Sequence, residues 1–526
     1  EQWFISMEAQ ELRQKSLAEI DRVNWVPRWG RERIYGMVEN RPDWCISRQR
    51  SWGVPIVAFH CRSCRTILLN VSIINQVASL IERKGSDEWF SRPAHELLPA
   101  GTRCPQCQGQ DFEKEKDILD VWFESGVSHA AVLKRRPELS WPADLYLEGS
   151  DQHRGWFHSA LLASVCTEGR APYKTVLTHG FVVDGSGKKM SKSAGNVIAP
   201  QEVIDRYGAE ILRLWVAAED YREDVRISQE ILLHLVEAYR KIRNTCRFLL
   251  GNLYDFDPAR HWVEDSALWE IDRWALCRLA NLTGRVLKAY EDFEFHIVFH
   301  ALNNFCAVDM SALYLDILKD RLYTARRDSL DRRAAQRTLC DILVTLCRLM
   351  APILSFTAEE VWRYLPAASR KVESVHLEQF PSVESRYLDS DLTSRWERLL
   401  AVREEVARAL ELARKDRQIG SSLEAEVELY AQGGLMDFLR VYLQDLPMIF
   451  IVSGVSLKEL PENRSDILWS ESTHGGIEGL GVRVVRAVGQ KCERCWNYRP
   501  AVGQYSQHPT LCDRCIKVVV EQADDI

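Results

Sequence analysis

Leu177 to Asn196 reads LTHGFVVDGSGKKMSKSAGN. A short apolar strand is predicted from Val176 to Val183, running into a loop rich in Gly and Lys. The loop carries Lys188, Lys189 and Lys192, with Ser191 and Ser193 between them. Three ammonium groups and two hydroxyls on a glycine-held loop suit a polyphosphate that is gripped briefly and released. A P-loop does not fit. Counting back from Gly187-Lys188, its first Gly would fall on Val182 and its closing Ser/Thr on Lys189. From composition alone the loop is no more than a solvated basic turn, so its meaning depends on what surrounds it.

With 526 residues the chain has room for several domains. The net charge of -7 means that a nucleic-acid partner must be met by local basic patches, not by the overall field. No run of about 18 apolar residues occurs, so no membrane partner is expected. No signal peptide is visible. The chain opens on Glu1, inside what reads as a helical connector, so a piece of a longer protein is expected, acting as a monomer. Of fifteen cysteines, eight form four CxxC pairs; the others lie singly in apolar or helical segments. That usage indicates metal sites in a reducing compartment, with the cytoplasm as the default.

Residues 1–56 read as a connector and the start of a catalytic region. Within it NRPDWCISRQRSWGVPI interleaves Arg41, Arg48 and Arg50 with Trp44 and Trp52, offering planar forks and stacking faces to phosphates or an RNA end. Residues 57–116 form an insertion with Cys61, Cys64, Cys104 and Cys107, two thiol pairs able to complete one tetrahedral zinc site. Residues 117–227 are predicted to be an α/β region. Its strand Leu145 to Leu147 ends at Glu148-Gly149, where ligands bind in open α/β sheets. Glu148 is placed to hold an ammonium or a ribose hydroxyl, and Asp151, Gln152 and His153 follow on the same loop. Trp122 and Trp156 are two indoles able to wall a branched aliphatic side chain.

From 228 to 419 the pattern is helical, with a 3.6-residue stripe through Ile231, Leu235, Tyr239, Ile242 and Cys246. Further helices are expected over 266–292, 296–325, 328–350, 357–365 and 390–416, with Thr357-Ala-Glu-Glu360 as a capping box. Two basic clusters stand out: Arg240, Lys241, Arg243 and Arg247, then Lys319, Arg321, Arg326, Arg327, Arg332, Arg333 and Arg337. Residues 420–487 look mixed, with LEAEVELYA and IFIVSGVSL as strands. In 488–526, Cys492-x-x-Cys495 and Cys512-x-x-Cys515 form a four-thiolate zinc signature, with Trp496, Tyr498, Arg494 and Arg499 offered to RNA.

KMSKS (Lys189-Met190-Ser191-Lys192-Ser193), LEGSDQHRGWF, the WCISRQR block and the KCERCW ribbon together resemble the class I aminoacyl-tRNA synthetases, most closely the bacterial isoleucyl type. The resemblance implies the second half of a Rossmann-type α/β catalytic domain, then an α-helical anticodon-binding bundle and a C-terminal zinc ribbon. It implies ATP-dependent activation of isoleucine and transfer to tRNA(Ile). Lys189 and Lys192 would act on the phosphates of ATP, bound with magnesium by Lys189 to Ser193. Glu148, Gly149, Asp151 and Gln152 would meet the aminoacyl-adenylate, with Trp122 and Trp156 shaping the amino-acid pocket. Arg240, Arg243, Arg247, Arg326, Arg327 and Trp496 are the tRNA-binding candidates. The family's HIGH-type ATP motif is absent; His179-Gly180 is the nearest dipeptide, so that motif and an editing domain are expected outside this chain. The rival expectation is a catalytically inert tRNA-binding module. A valyl or leucyl ligase is disfavoured by LEGSDQHRGWF, and an unrelated zinc-ribbon protein would leave KMSKS unexplained.

Overall fold

The computed structural model describes residues 2–459, 468, 469, 477 and 479–523. The chain divides into two compact units, Glu1–Ser193 with Tyr221–Arg226, and Ala194–Asp220 with Ile227–Ile526.

The first unit is built on a parallel three-stranded sheet. Helix α1 (Leu12–Arg22) precedes β1 (Asn24–Val26), and α2 (Trp29–Glu39) follows it. The insertion carries a three-stranded antiparallel sheet (Phe59–Cys61, Ile67–Leu68, Phe112–Lys114) and helix α3 (Val71–Lys84). After the short helix α4 (Val121–Gly126) come β2 (Ala143–Gly149), α5 (Trp156–Glu168) and β3 (Tyr173–His179). β3 lies between β1 and β2 and runs parallel to both. Parallel neighbours need a crossover connection, which α5 supplies between β2 and β3. Every residue of α5 from Phe157 to Val165 is buried, so this helix is enclosed on all sides rather than amphipathic, with His158, Ser159 and Ser164 among the buried residues. It packs with Ile20, Trp25, Ile34, Tyr173 and Val176 into one core.

The apolar run expected as a single strand over Val176 to Val183 is two strands. β3 stops at His179, and β4 (Val182–Asp184) starts again beyond Gly180-Phe181. The break has a cause. The 221–226 segment crosses here, with Gly180 N–H donating to Tyr221 O at 2.8 Å. A Cβ on Gly180 would sit 2.2 Å from Glu223 O, so only glycine permits that approach.

In the second unit, helices α6 (Gln229–Asn252), α7 (Glu270–Glu291), α8 (Phe295–Asn304), α9 (Leu315–Thr324), α10 (Leu330–Met350), α11 (Ser355–Tyr364) and α12 (Ser390–Lys415) match the expected helical spans closely. The span expected as one helix over 296–325 is interrupted by a π-helical stretch, Phe305–Tyr314. Thr357 does not form the expected capping box. α11 starts at Ser355 because the Glu210 carboxylate accepts from Phe356 N–H at 2.9 Å and supplies the cap from another helix. Thr357 is instead buried and bonded to the Tyr239 hydroxyl at 2.9 Å.

The mixed segment contains β5 (Ala425–Tyr430), β6 (Gly454–Lys458) and β7 (Gly481–Arg486); Leu468–Trp469 adds an outer strand. Only the second half of IFIVSGVSL is strand; Ile449 and Phe450 close a short helix, Leu446–Phe450. The terminal ribbon ends in helix α13 (Asp513–Ala523). Among the described residues no helix is long and apolar enough to cross a membrane.

Candidate active site and thiol clusters

β2 ends at Glu148-Gly149, paired with Thr178 and His179 at the end of β3. Parallel strands bring all their carboxyl ends to one edge, and the loops leaving that edge carry the expected residues. Glu148 Oε1 accepts from Gly149 N–H at 2.9 Å and lies 3.9 Å from His179 Nε2, its side chain half exposed. In the next turn, Gln152 donates to Asp151 Oδ2 at 2.9 Å and accepts from Trp156 N–H at 3.0 Å, so Gln152 caps α5.

The two predicted indoles do different things. Trp156 is locked: its ring stacks on Tyr146 at 4.1 Å, and its indole N–H donates to Ser125 O at 3.0 Å. Trp122 is 42% exposed at the start of α4, which Asp120 caps by accepting from Trp122 N–H at 3.4 Å. A Cβ on Gly155 would lie 2.5 Å from Gln152 Oε1 and 2.7 Å from the Trp122 ring. Glycine there lets Trp122 close against the Gln152 turn. Trp122, Gln152 and Trp156 thus meet around one small glycine, beside the strand end that carries Glu148.

The lysine loop is a hairpin set by Asp184. Its carboxylate accepts from Ser186 N–H at 3.0 Å, Ser186 Oγ at 2.7 Å and Lys188 N–H at 2.9 Å. Gly187 takes φ +81° to complete the turn, and Val183 bridges to Lys189. Sequence reasoning missed Asp184, although Asp followed by Gly-Ser-Gly is a recognisable turn signal. Lys188 and Lys189 are exposed, Met190 is half-buried, and Ser191 and Ser193 share a hydrogen bond of 3.2 Å between hydroxyls. The Lys192 side chain lies outside the described residues.

In each thiol cluster the four Sγ atoms lie within 4.8 Å of one another. Cys61 to Cys107 and Cys64 to Cys104 are 3.5 Å apart, and Cys495 to Cys512 is 3.7 Å. A tetrahedron with metal–sulfur bonds of about 2.3 Å has edges of about 3.8 Å, so both clusters fit one zinc ion. The terminal cluster is fully buried; in the insertion Cys64 is half-buried and Cys107 exposed. His60 is not part of either cluster and pairs with Glu115 at 3.0 Å. The turns are alike. Arg65, Gln108 and Trp496, each four residues after the first Cys of its pair, take φ of +64°, +61° and +65°. Hydrogen bonding with Thr66, at its side chain and its backbone, lowers the Cys64 thiol to about 6, whereas Cys107 is pushed up to about 12. For Cys107 a backbone hydrogen bond from Gly109 lowers the thiol, but the neighbouring thiols and burial outweigh it. Four sulfurs this close do not all ionise unless a cation joins them.

The first basic cluster lies on the surface: Arg240, Arg243 and Arg247 are exposed along α6. The second does not. Arg321, Arg332, Arg333 and Arg337 are each at most 6% exposed. Arg332 makes a bidentate pair with Asp255 at 2.8 and 3.0 Å. Arg333 donates to Gln336 Oε1 at 2.8 Å and to Asp328, Arg337 pairs with Asp265, and Arg321 pairs with Asp272. Burial alone would raise the Asp255 carboxyl, but hydrogen bonds from Arg332 and Gln336 and the charges of Arg332 and Arg333 hold it at about 2. A buried cation needs such a partner, so these arginines are structural and do not form an RNA track. Arg327 remains exposed, 3.5 Å from Asp255, and Arg326 is half-buried. Trp496 is 60% exposed with Lys491 over its ring at 5.2 Å.

Three family descriptions match in sequence: "tRNA synthetases class I (I, L, M and V)" over residues 1–228, "Anticodon-binding domain of tRNA ligase" over 272–429, and "Zinc finger found in FPG and IleRS" over 489–518. Proteins named isoleucine--tRNA ligase are similar throughout. That of Syntrophotalea carbinolica is 59% identical over 99% of this chain and 55% of its own length. Those of Geobacter sulfurreducens and Moorella thermoacetica are 60% and 53% identical, again over 99% of this chain and 55% and 56% of theirs. Among solved structures, a LeuRS of Agrobacterium radiobacter K84 aligns over 84% of this chain and 51% of that chain, at TM-score 0.46 and 18% identity. The chain spans a little over half the length of the curated relatives it matches. With an α/β unit ending in a lysine hairpin, a helical module and a four-thiol ribbon matched in that order, the chain is homologous to the C-terminal part of the bacterial isoleucine ligases.

Proposed function

We propose that this chain carries the adenylate-forming and tRNA-binding parts of an isoleucine--tRNA ligase. The observation that supports this best is the shared edge of β2 and β3: Glu148 leaves one strand end, and the chain leaving the neighbouring strand forms the lysine hairpin. Isoleucine's carboxylate attacks the α-phosphorus of ATP and displaces pyrophosphate; the ribose hydroxyl at the tRNA(Ile) 3′ end then takes the acyl group. Little covalent chemistry falls to the protein, which must position reactants and stabilise charge on the phosphates. Glu148, with Gly149, Asp151 and Gln152, meets the polar part of the aminoacyl-adenylate. Trp122 and Trp156 enclose the branched side chain. Lys189 and Lys192, with Met190, Ser191 and Ser193, hold the leaving pyrophosphate, and magnesium accompanies ATP. The Cys61, Cys64, Cys104 and Cys107 cluster holds a second zinc, beside the one in the terminal ribbon. Arg240, Arg243, Arg247 and Trp496 face tRNA. We set the domain limits at 56, 116, 227, 419 and 487. The protein works as a monomer in the cytoplasm.

The test is isoleucine-dependent ATP–pyrophosphate exchange, measured on this chain alone and with the remaining part of a relative added. Lys192→Ala should lower the exchange rate far more than isoleucine affinity, because a lysine on the leaving group acts mainly in the transition state. Equal losses in both would remove Lys192 from that role. No exchange under either condition leaves a tRNA-binding module.

A further inference from the structure

A cavity of about 290 Å³ lies within the helical module of the second unit, between α7, α10 and the segment 368–387. α7 and α10 give it apolar walls, Leu276, Leu279, Ala280 and Val344. Asp341 of α10 stands among them, with Glu384 on the facing segment.

The charged neighbours of Asp341 have partners of their own. Arg337 donates to Val263 O, to Asp265 and, at 2.9 Å, to the Tyr387 hydroxyl. Arg386 lies 3.4 Å from Asp265 and 3.4 Å from Glu384. Arg348 donates to Gln379 O at 2.8 Å and to Phe380 O at 3.2 Å, with Glu378 at 3.6 Å. Asp341 accepts no hydrogen bond among the described residues. Its one ion pair there is with Arg337 Nε at 3.6 Å, and that Nε donates to nothing. Burial, with the negative charges of Asp265 and Glu384, pushes the Asp341 carboxyl up to about 6 against the pull of Arg337 and Arg386. Cys340 and Tyr387, on the same wall, are pushed up to about 12, chiefly by burial, and stay neutral.

A carboxylate set into protein without donors is unfavourable, and a guest that brings N–H groups and a positive charge relieves it. An ammonium has three donors and no acceptor. The apolar walls suit a hydrocarbon body. The arginines are committed to other acceptors, so the cavity offers nothing to a carboxylate on the guest.

We infer that this cavity is a binding site for a small aliphatic primary amine, its ammonium on the Asp341 carboxylate and its body between Leu276, Leu279, Ala280 and Val344. The site uses no residue assigned to ATP, isoleucine or tRNA, so it stands whether or not the ligase reading does.

The experiment is titration calorimetry on the 526-residue chain with isopentylamine as the probe. Three controls dissect the probe: isopentanol has the body without the charge, ammonium chloride the charge without the body, and leucine the same body with a carboxylate added. At about pH 7.5 isopentylamine should bind at least about 10-fold more tightly than any control. Its affinity should fall about 10-fold on going to about pH 5, because a carboxyl of about 6 takes up its proton while the amine stays charged. Asp341→Asn keeps the size of the side chain and breaks no hydrogen bond. It should bind isopentylamine about 10-fold less tightly and lose the pH dependence. Isopentylamine that fails to bind at about 10 mM, or isopentanol or leucine that binds as tightly, overturns the inference. So does a wild-type affinity that is flat over that pH range, or an Asp341→Asn variant with wild-type affinity. The control ligands and the pH series need no variant, so they decide the matter even if Asp341→Asn does not fold.

Discussion

Along α6, Arg240, Arg243 and Arg247 stand in solvent, whereas at the start of α10 Arg332, Arg333 and Arg337 are almost wholly enclosed. In the sequence both stretches look like basic faces. The difference lies in acids that are far away along the chain. Asp255, Asp265 and Asp272 come from other segments of the helical module and meet the α10 and α9 arginines inside it. Among the described residues Arg240 alone of these three has an ion pair, to Glu237, one turn away and exposed. A guanidinium with a buried acid is part of the fold, and one in water remains available to a phosphate.

The contrast can be broken most forcefully at Asp255. Asp255→Ala leaves Arg332 buried without its carboxylate and Arg333 with Asp328 alone, and should cost about 3–5 kcal/mol in urea unfolding of the helical module. A cost under about 1 kcal/mol would mean that these arginines are solvated after all. The α6 side is sharpened by Arg243→Ala combined with Arg247→Ala. Unfolding should not change, while tRNA affinity falls about 10-fold and the dependence of log K on log salt flattens by roughly one to two units. An unchanged salt slope would take α6 out of the RNA surface. The smallest effect concerns acid. Asp255 titrates at about 2 in the folded protein, below the ordinary carboxylate range. Its contribution is therefore complete above about pH 4 and fades as the pH falls toward 2. Asp255→Asn should lose that part of the acid dependence; an identical profile would show that another carboxylate governs it.

Much of the site could be read in advance because its signals are local. A strand ending in Glu-Gly, a Lys-Ser loop and four CxxC pairs are short patterns, and the structure gathers each pair of CxxC units into one cluster. What could not be read depends on partners distant in sequence. The apolar run from Val176 to Val183 breaks where residues 221–226 cross Gly180. Thr357 loses its capping role to Glu210, nearly 150 residues earlier. In IFIVSGVSL the β-branched residues spell strand, yet Leu446–Phe450 turns as a helix and only Gly454–Lys458 pairs with β5.

The left-handed turns at Arg65, Gln108 and Trp496 have a consequence for what each position will accept. A side chain held in that conformation costs on the order of 1–3 kcal/mol, and persists only where its surroundings over-determine it. Glycine would hold the same turn without that cost, whereas a β-branched residue would resist it, so each knuckle admits Gly at this position and excludes Val, Ile and Thr.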